Sequence, residues 1–168
     1  MKPKKIGALI AINGFIAIGT IPVCAGEMSN MGGMSMESAP AASYGSPGKS
    51  AAVTRTVSIT AIDKMRFKPA QLSVRAGQTV RFVIRNAGKL THEFIIGDRV
   101  EQREHEAEMR ANPKMKMDHD VNGVVIQPGQ VRKIIWTFPA HATIIEYACH
   151  EPGHFAAGMV GTIHVVMR

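Results

Sequence analysis

The chain predicts an all-β protein: a Greek-key β-sandwich with one short helical insertion. Three observations carry this. From Thr54 onward, short stretches alternate apolar and polar residues with a period of two. Turn signals such as "RAG" and "QPGQ" separate them. One charged stretch, 98–122, interrupts the series with helix-favouring residues.

The N-terminus stands apart from that pattern. Lys2, Lys4 and Lys5 form a basic start, Ile6 to Val23 is largely apolar, and Val23-Cys24-Ala25 places small residues for a signal peptidase. Residues 1–25 are expected to be a secretory signal peptide cleaved after Ala25. Gly7, Gly14, Gly19 and Pro22 argue against a retained anchor, and Val23 fits poorly before a lipid-modified Cys24. No membrane association is expected once the signal is gone. Cleavage leaves 17 basic against 13 acidic residues, a net charge of +4. No basic run with interleaved aromatics is present, so nucleic-acid binding is not expected. Cleavage also leaves Cys149 alone, which excludes an internal disulfide.

Residues 26–51 are rich in Gly, Ser, Ala, Pro and Met and lack apolar periodicity, as in a flexible leader. Met28, Met31, Met34 and Met36 are spaced two or three apart there. Two readings stand for them: a Cu(I)-binding leader, since thioethers are soft ligands, or a low-complexity linker that is Met-rich.

Residues 52–168 are expected to be the folded domain. "TRTVSITAID" puts Val57, Ile59 and Ala61 on one face, and "QLSVRAG" contributes Leu72 and Val74. "QTVRFVIRNAG" puts Val80, Phe82 and Ile84 on one face, and "THEFIIG" is short and apolar. "NGVVIQPGQ" and "VRKIIWTF" flank a Pro-Gly turn, and "ATIIEYAC" and "GMVGTIHVVM" close the series. The insertion 98–122 predicts a helix over Arg99–Ala111. Asp98 with Glu101 resembles a capping box, and Pro113 is the stop. His105 and Met109 share one helix face. His105 is expected on a solvated helix with a methionine or two docked on the sandwich, while Met115, Met117 and His119 in the following loop are an open cluster.

The chemistry concentrates in "YACHEPGHFAAGM". Cys149 ends an apolar strand, and His154 and Met159 follow at intervals of five. The small and turn-forming residues between them let the loop curl so that the three converge. His92, in "NAGKLTHEFII", is the candidate fourth ligand from a neighbouring strand. Two imidazoles, a thiolate and a distant thioether make a blue-copper set. The thiolate donates charge, imidazole suits both copper oxidation states, and a dry surround limits reorganisation between them.

The pattern His92…Cys149-x4-His154-x4-Met159 resembles that of the cupredoxins, the small type 1 blue-copper proteins, over roughly residues 53–168. The resemblance implies one type 1 copper held by His92, Cys149, His154 and Met159. The Met-containing leader, "THEF", the charged insertion before "PGQ" and "PGH…AGM" are similar to the periplasmic copper-tolerance cupredoxins. That branch implies a periplasmic, monomeric, non-enzymatic protein that binds copper and oxidises or buffers Cu(I). Its partners would be copper ions and a periplasmic redox protein or copper exporter. The alternative is a one-electron carrier between periplasmic redox partners, which needs the same four ligands. An oxidase or nitrite reductase would need further copper ligands and further domains.

His150 remains open. In an extended chain it points away from the Cys149 side. It is a solvent-facing or hydrogen-bonded residue, or a second-metal ligand with His or Met of the insertion (His105, Met109, Met115, Met117, His119), or an electron exit. His141 and His164 are expected to be structural.

Overall fold

The computed structural model describes residues 42–112 and 121–167. Ten strands build two five-stranded sheets. They are β1 (Ser46–Pro47), β2 (Arg55–Ile62), β3 (Arg66–Lys68), β4 (Gln71–Arg75), β5 (Thr79–Asn86), β6 (His92–Gly97), β7 (Gly123–Ile126), β8 (Val131–Thr137), β9 (Thr143–Ala148) and β10 (Val160–Val166). Helix α1 (Arg99–Ala111) joins β6 to β7. The first sheet runs β1-β8-β5-β2-β3 and the second β4-β10-β9-β6-β7. This is the expected β-sandwich with one helical insertion.

The inward faces follow the sequence alternation. Val57, Ile59 and Ala61 of β2 and Val80, Phe82 and Ile84 of β5 are buried in the inter-sheet core. Phe67, Phe94 and Tyr147 form its aromatic centre, with ring centroids 5.0–5.8 Å apart. Tyr147 lies over Gly161 of β10 and donates its hydroxyl to the Pro69 carbonyl at 2.6 Å.

Strand β6 departs from alternation: every residue from His92 to Gly97 is buried. The reason is α1, which covers the outer face of the second sheet with Gln102, His105 and Met109. A strand covered on both sides reads as a continuous apolar run. The Asp98 side chain caps α1 by accepting from the Val100 and Glu101 N–H groups. Glu101 does not complete a reciprocal box; its carboxylate accepts from the Asn122 amide at 3.0 Å. Helix α1 covers the expected Arg99–Ala111, but its His105 face is packed on the sheet rather than solvated.

Two further differences concern short segments. Tyr44 stacks on Trp136 at 5.8 Å, and Ser46–Pro47 pairs with β8. The ordered sandwich therefore reaches back into the stretch assigned to the leader. β1 covers what would otherwise be an open edge of β8, and two residues are too few to show a period. The three-residue β3 is likewise too short to show one. Met28, Met31, Met34, Met36, Met115, Met117 and His119 lie outside the described residues, as does the signal segment.

Candidate metal centre

Strand alternation sets which side chains reach the site. On β6, His92 shares a face with Phe94 and Ile96, and the latter two belong to the inter-sheet core. At the end of β9, Tyr147 and Cys149 belong to that core as well. His154 comes from the turns after β9, and Met159 directly precedes β10. The loop folds back on itself. Cys149 N–H donates to the Met159 carbonyl at 3.1 Å, and Met159 N–H donates to the His154 carbonyl at 3.0 Å. Gly153 and Gly158 take left-handed φ values of 85° and 82°, which let the chain reverse twice in ten residues. Arg66 Nη1 holds the far side of the loop through the carbonyls of Ala157 and Gly158, at 3.2 and 3.3 Å.

His92, Cys149 and His154 converge so that one donor atom from each lies within 4.8 Å of the others. Cys149 Sγ is 3.2 Å from His154 Nδ1 and 3.9 Å from His92 Nδ1. The two imidazole centroids are 5.0 Å apart. Met159 is fully buried and tied by its main chain to both Cys149 and His154. Two imidazole nitrogens and a cysteine sulfur facing one point, with His92 and Cys149 buried and His154 half-buried, are a donor set that copper fits.

The surroundings tune these donors. Burial pushes the Cys149 thiol up to about 12; the Glu93 and Glu151 N–H groups oppose this and their carboxylates add to it. The Glu93 N–H points at Cys149 Sγ from 3.2 Å. Burial also lowers His92, with Asp63 pulling the other way. His154 is lowered by burial and then by the neighbouring His92. Both imidazoles are thus neutral at neutral pH, as ligation requires.

The groups that position these candidate donors carry little signal in the sequence. Asp63 Oδ1 sits 3.4 Å from His92 Nε2, the nitrogen facing away from Cys149. The same carboxylate accepts from Lys89 N–H at 2.7 Å and Leu90 N–H at 3.3 Å. Asn86 braces that loop through Gly88 N–H and the Leu90 and Ile126 carbonyls. Glu93, visible within "THEF", accepts from His150 N–H at 3.2 Å. Asp63 carries no such signal, being 29 residues from the imidazole it faces.

His150 lies on the opposite face from Cys149, buried beneath α1. Its Nδ1 is 3.0 Å from Glu106 Oε2 and its Nε2 is 2.7 Å from Gln102 Oε1. Its ring lies 4.7 Å from that of His105 and 4.6 Å from that of Phe155. Burial pushes His150 down to about 4, with Glu106 opposing and His105 adding to the shift. Met109 is buried on the same helix face. His141 is exposed and His164 lies on β10, away from the cluster.

Comparison with known proteins agrees with this geometry. Residues 53–166 match the model of copper-binding proteins of the plastocyanin/azurin family. A copper-resistant cuproprotein CopI from Rubrivivax gelatinosus is 45% identical over 122 residues, covering 73% of each chain. The CopI of Pseudomonas aeruginosa is 36% identical over 163 residues, covering 79% of this chain and 89% of that one. Among solved structures, auracyanin B superposes with a TM-score of 0.61 at 21% identity, over 73% of this chain and 96% of that one. A reduced auracyanin from Roseiflexus castenholzii gives 0.59 at 22% identity, over 68% and 98%. The sandwich, the convergent Cys149 and histidines and the family match place the chain in the plastocyanin/azurin family of copper-binding proteins.

Proposed function

We propose that this is an exported copper-tolerance protein of the periplasm that holds one type 1 copper through His92, Cys149, His154 and Met159. The observation that carries the site is the convergence of three donor atoms within 4.8 Å around a buried cysteine. Copper resistance is the activity named for the CopI relatives, which this chain matches over most of its length. The basic, then apolar, N-terminal segment supports export.

Bound copper would supply a reversible one-electron couple. The protein's part is to hold its donors in one arrangement through both states. Asp63 fixes the His92 ring, the Glu93 N–H holds the sulfur, and the main-chain bonds among Cys149, His154 and Met159 keep the loop from opening. The role is copper binding; in its finer form bound Cu(I) would be oxidised to Cu(II), its electron passing to a periplasmic redox protein. Electron transfer to a redox partner is the second reading. The half-buried His154 favours it, since this ligand lies nearer to solvent than the fully buried His92.

The test is spectroscopic and then physiological. The Cu(II) form is expected to absorb strongly toward the red through thiolate charge transfer, and Cys149→Ser is expected to remove that band. A mutant that keeps it would falsify the ligand assignment. A deletion strain complemented with Cys149→Ser should stay copper-sensitive under the tolerance reading. Full copper tolerance in that strain would favour the carrier.

A further inference from the structure

A second group of donors lies behind the first, on the outer face of the sheet. Gln102 sets its chemistry. The amide nitrogen of Gln102 donates to the Ile95 carbonyl at 3.0 Å and faces the Glu146 carbonyl at 3.4 Å. Its oxygen is thereby turned toward His150 Nε2, 2.7 Å away, so that nitrogen carries the hydrogen. The other ring nitrogen, Nδ1, is 3.0 Å from Glu106 Oε2. With Nε2–H committed to Gln102, a lone pair on Nδ1 and a carboxylate oxygen face one another. Such a pair can hold a cation between its two atoms, either a proton or a metal ion.

The geometry admits a metal. An ion at the usual ~2.0–2.1 Å from both atoms would subtend an angle of about 95°. Imidazole, carboxylate and thioether are donor types that copper accepts. The ring is held for it, with Phe155 stacked at 4.6 Å and His105 packed at 4.7 Å. A cavity of about 250 Å³ adjoins the pair, lined by Glu106, Met109, Arg110, His150, Pro152 and Gly153. Met109 is one helical turn beyond Glu106 and offers a thioether. Pro152, Gly153 and Arg110 are exposed at the rim, so the cavity has an entry path and the Arg110 charge is solvated.

We propose that His150 and Glu106, with Met109 beside them, form a second copper site distinct from the thiolate centre. It goes beyond the single-copper reading and does not depend on it, because none of its donors belongs to the first set. His105 is a packing neighbour in this proposal and not a ligand.

The experiment is Cu(II) titration of the full mature chain, with metal content measured after desalting, for wild type and Glu106→Gln. The glutamine keeps the shape and can donate to Nδ1, so the fold is expected to hold. Wild type should retain one more equivalent than Glu106→Gln, while both show the same thiolate band. Equal stoichiometry would mean that the pair holds a proton only, and would overturn the proposal. Electron paramagnetic resonance of the loaded wild type provides a measurement that needs no variant. A second Cu(II) signal coupled to a single imidazole nitrogen is expected. No second signal, or one coupled to several nitrogens, overturns the assignment. Cys149→Ser should lose the band yet keep the extra equivalent. Absence of the band in wild type would count against the first site alone.

Discussion

Asp63 connects two tasks at the edge of the metal centre. Its carboxylate caps the Lys89 and Leu90 N–H groups that lead into β6, and it faces the outer nitrogen of His92. The approach is close: a Cβ at position 88 would lie 1.8 Å from Asp63 Oδ1 and would displace the carboxylate. An acceptor on the far nitrogen of a ligating histidine fixes its tautomer and raises its basicity, and its loss typically costs 10–100-fold in metal affinity. Asp63 is partly exposed, at 36% for the side chain, so the lower end applies. Asp63→Asn is expected to weaken Cu(II) binding by about tenfold and to raise the reduction potential, as competition titration and voltammetry would reveal. Cys149 is pushed up to about 12, so it is a thiol in the metal-free protein, whereas both histidines are shifted toward their neutral forms. Copper binding at the thiolate centre near pH 7.5 should therefore release about one proton, from Cys149. Calorimetry in buffers of different ionisation enthalpy measures this, with Glu106→Gln isolating that centre. Release near zero would mean that the thiolate is already formed.

At the scale of elements, the second sheet is a partition with polar side chains on both sides. The end of β9 presents Cys149 to the interior core and His150 to α1, and Glu93 of β6 accepts from the His150 N–H. Adjacent residues point to opposite faces, so one dipeptide, Cys149-His150, serves both sides. The partition depends on close packing between β9 and β10. Tyr147 is paired with Gly161, and a Cβ there would stand 2.1–2.5 Å from three atoms of the tyrosine ring and hydroxyl. Tyr147 cannot simply rotate, because its hydroxyl is anchored to Pro69 and its ring packs against Phe67 and Phe94. Gly161→Ala is expected to destabilise the fold by about 1–3 kcal/mol, the usual cost of overpacking. Urea denaturation would measure it, and an unchanged midpoint would mean that the strands can separate at little cost. Tyr147 lies two residues before Cys149, so the variant should also shift the thiolate band.

For the whole molecule, buried histidines set the response to acid. His92, His150 and His154 are all lowered from 6.5, with His150 at about 4, and burial is the first cause in each. The unfolded chain then binds more protons than the folded one below about pH 6.5, so unfolding free energy falls as the pH falls. The stabilisation is fully present above that point and is lost progressively toward pH 4. The metal-free protein is expected to melt at a lower temperature at pH 5 than at pH 7.5, with calorimetry or circular dichroism as the measurement; equal values would show that these imidazoles titrate normally. Much of the design is legible in the chain. Alternation marks the inward faces of β2 and β5, Asp98 marks the start of α1, and the soft donors Cys149, His154 and Met159 fall within one loop because strand ends and turns are local features. A short partner such as β1 or β3 is not legible, since two or three residues have no period. The sequence by itself determined the sandwich, the helix and the candidate donors of the metal centre. Tertiary structure alone decided that Asp63 faces His92 across 29 residues, that Glu106 meets His150 across 44, and that α1 buries His105 instead of exposing it. These pairings come from how separate elements pack, and residue type and spacing along one element carry no record of which distant side chain will lie opposite.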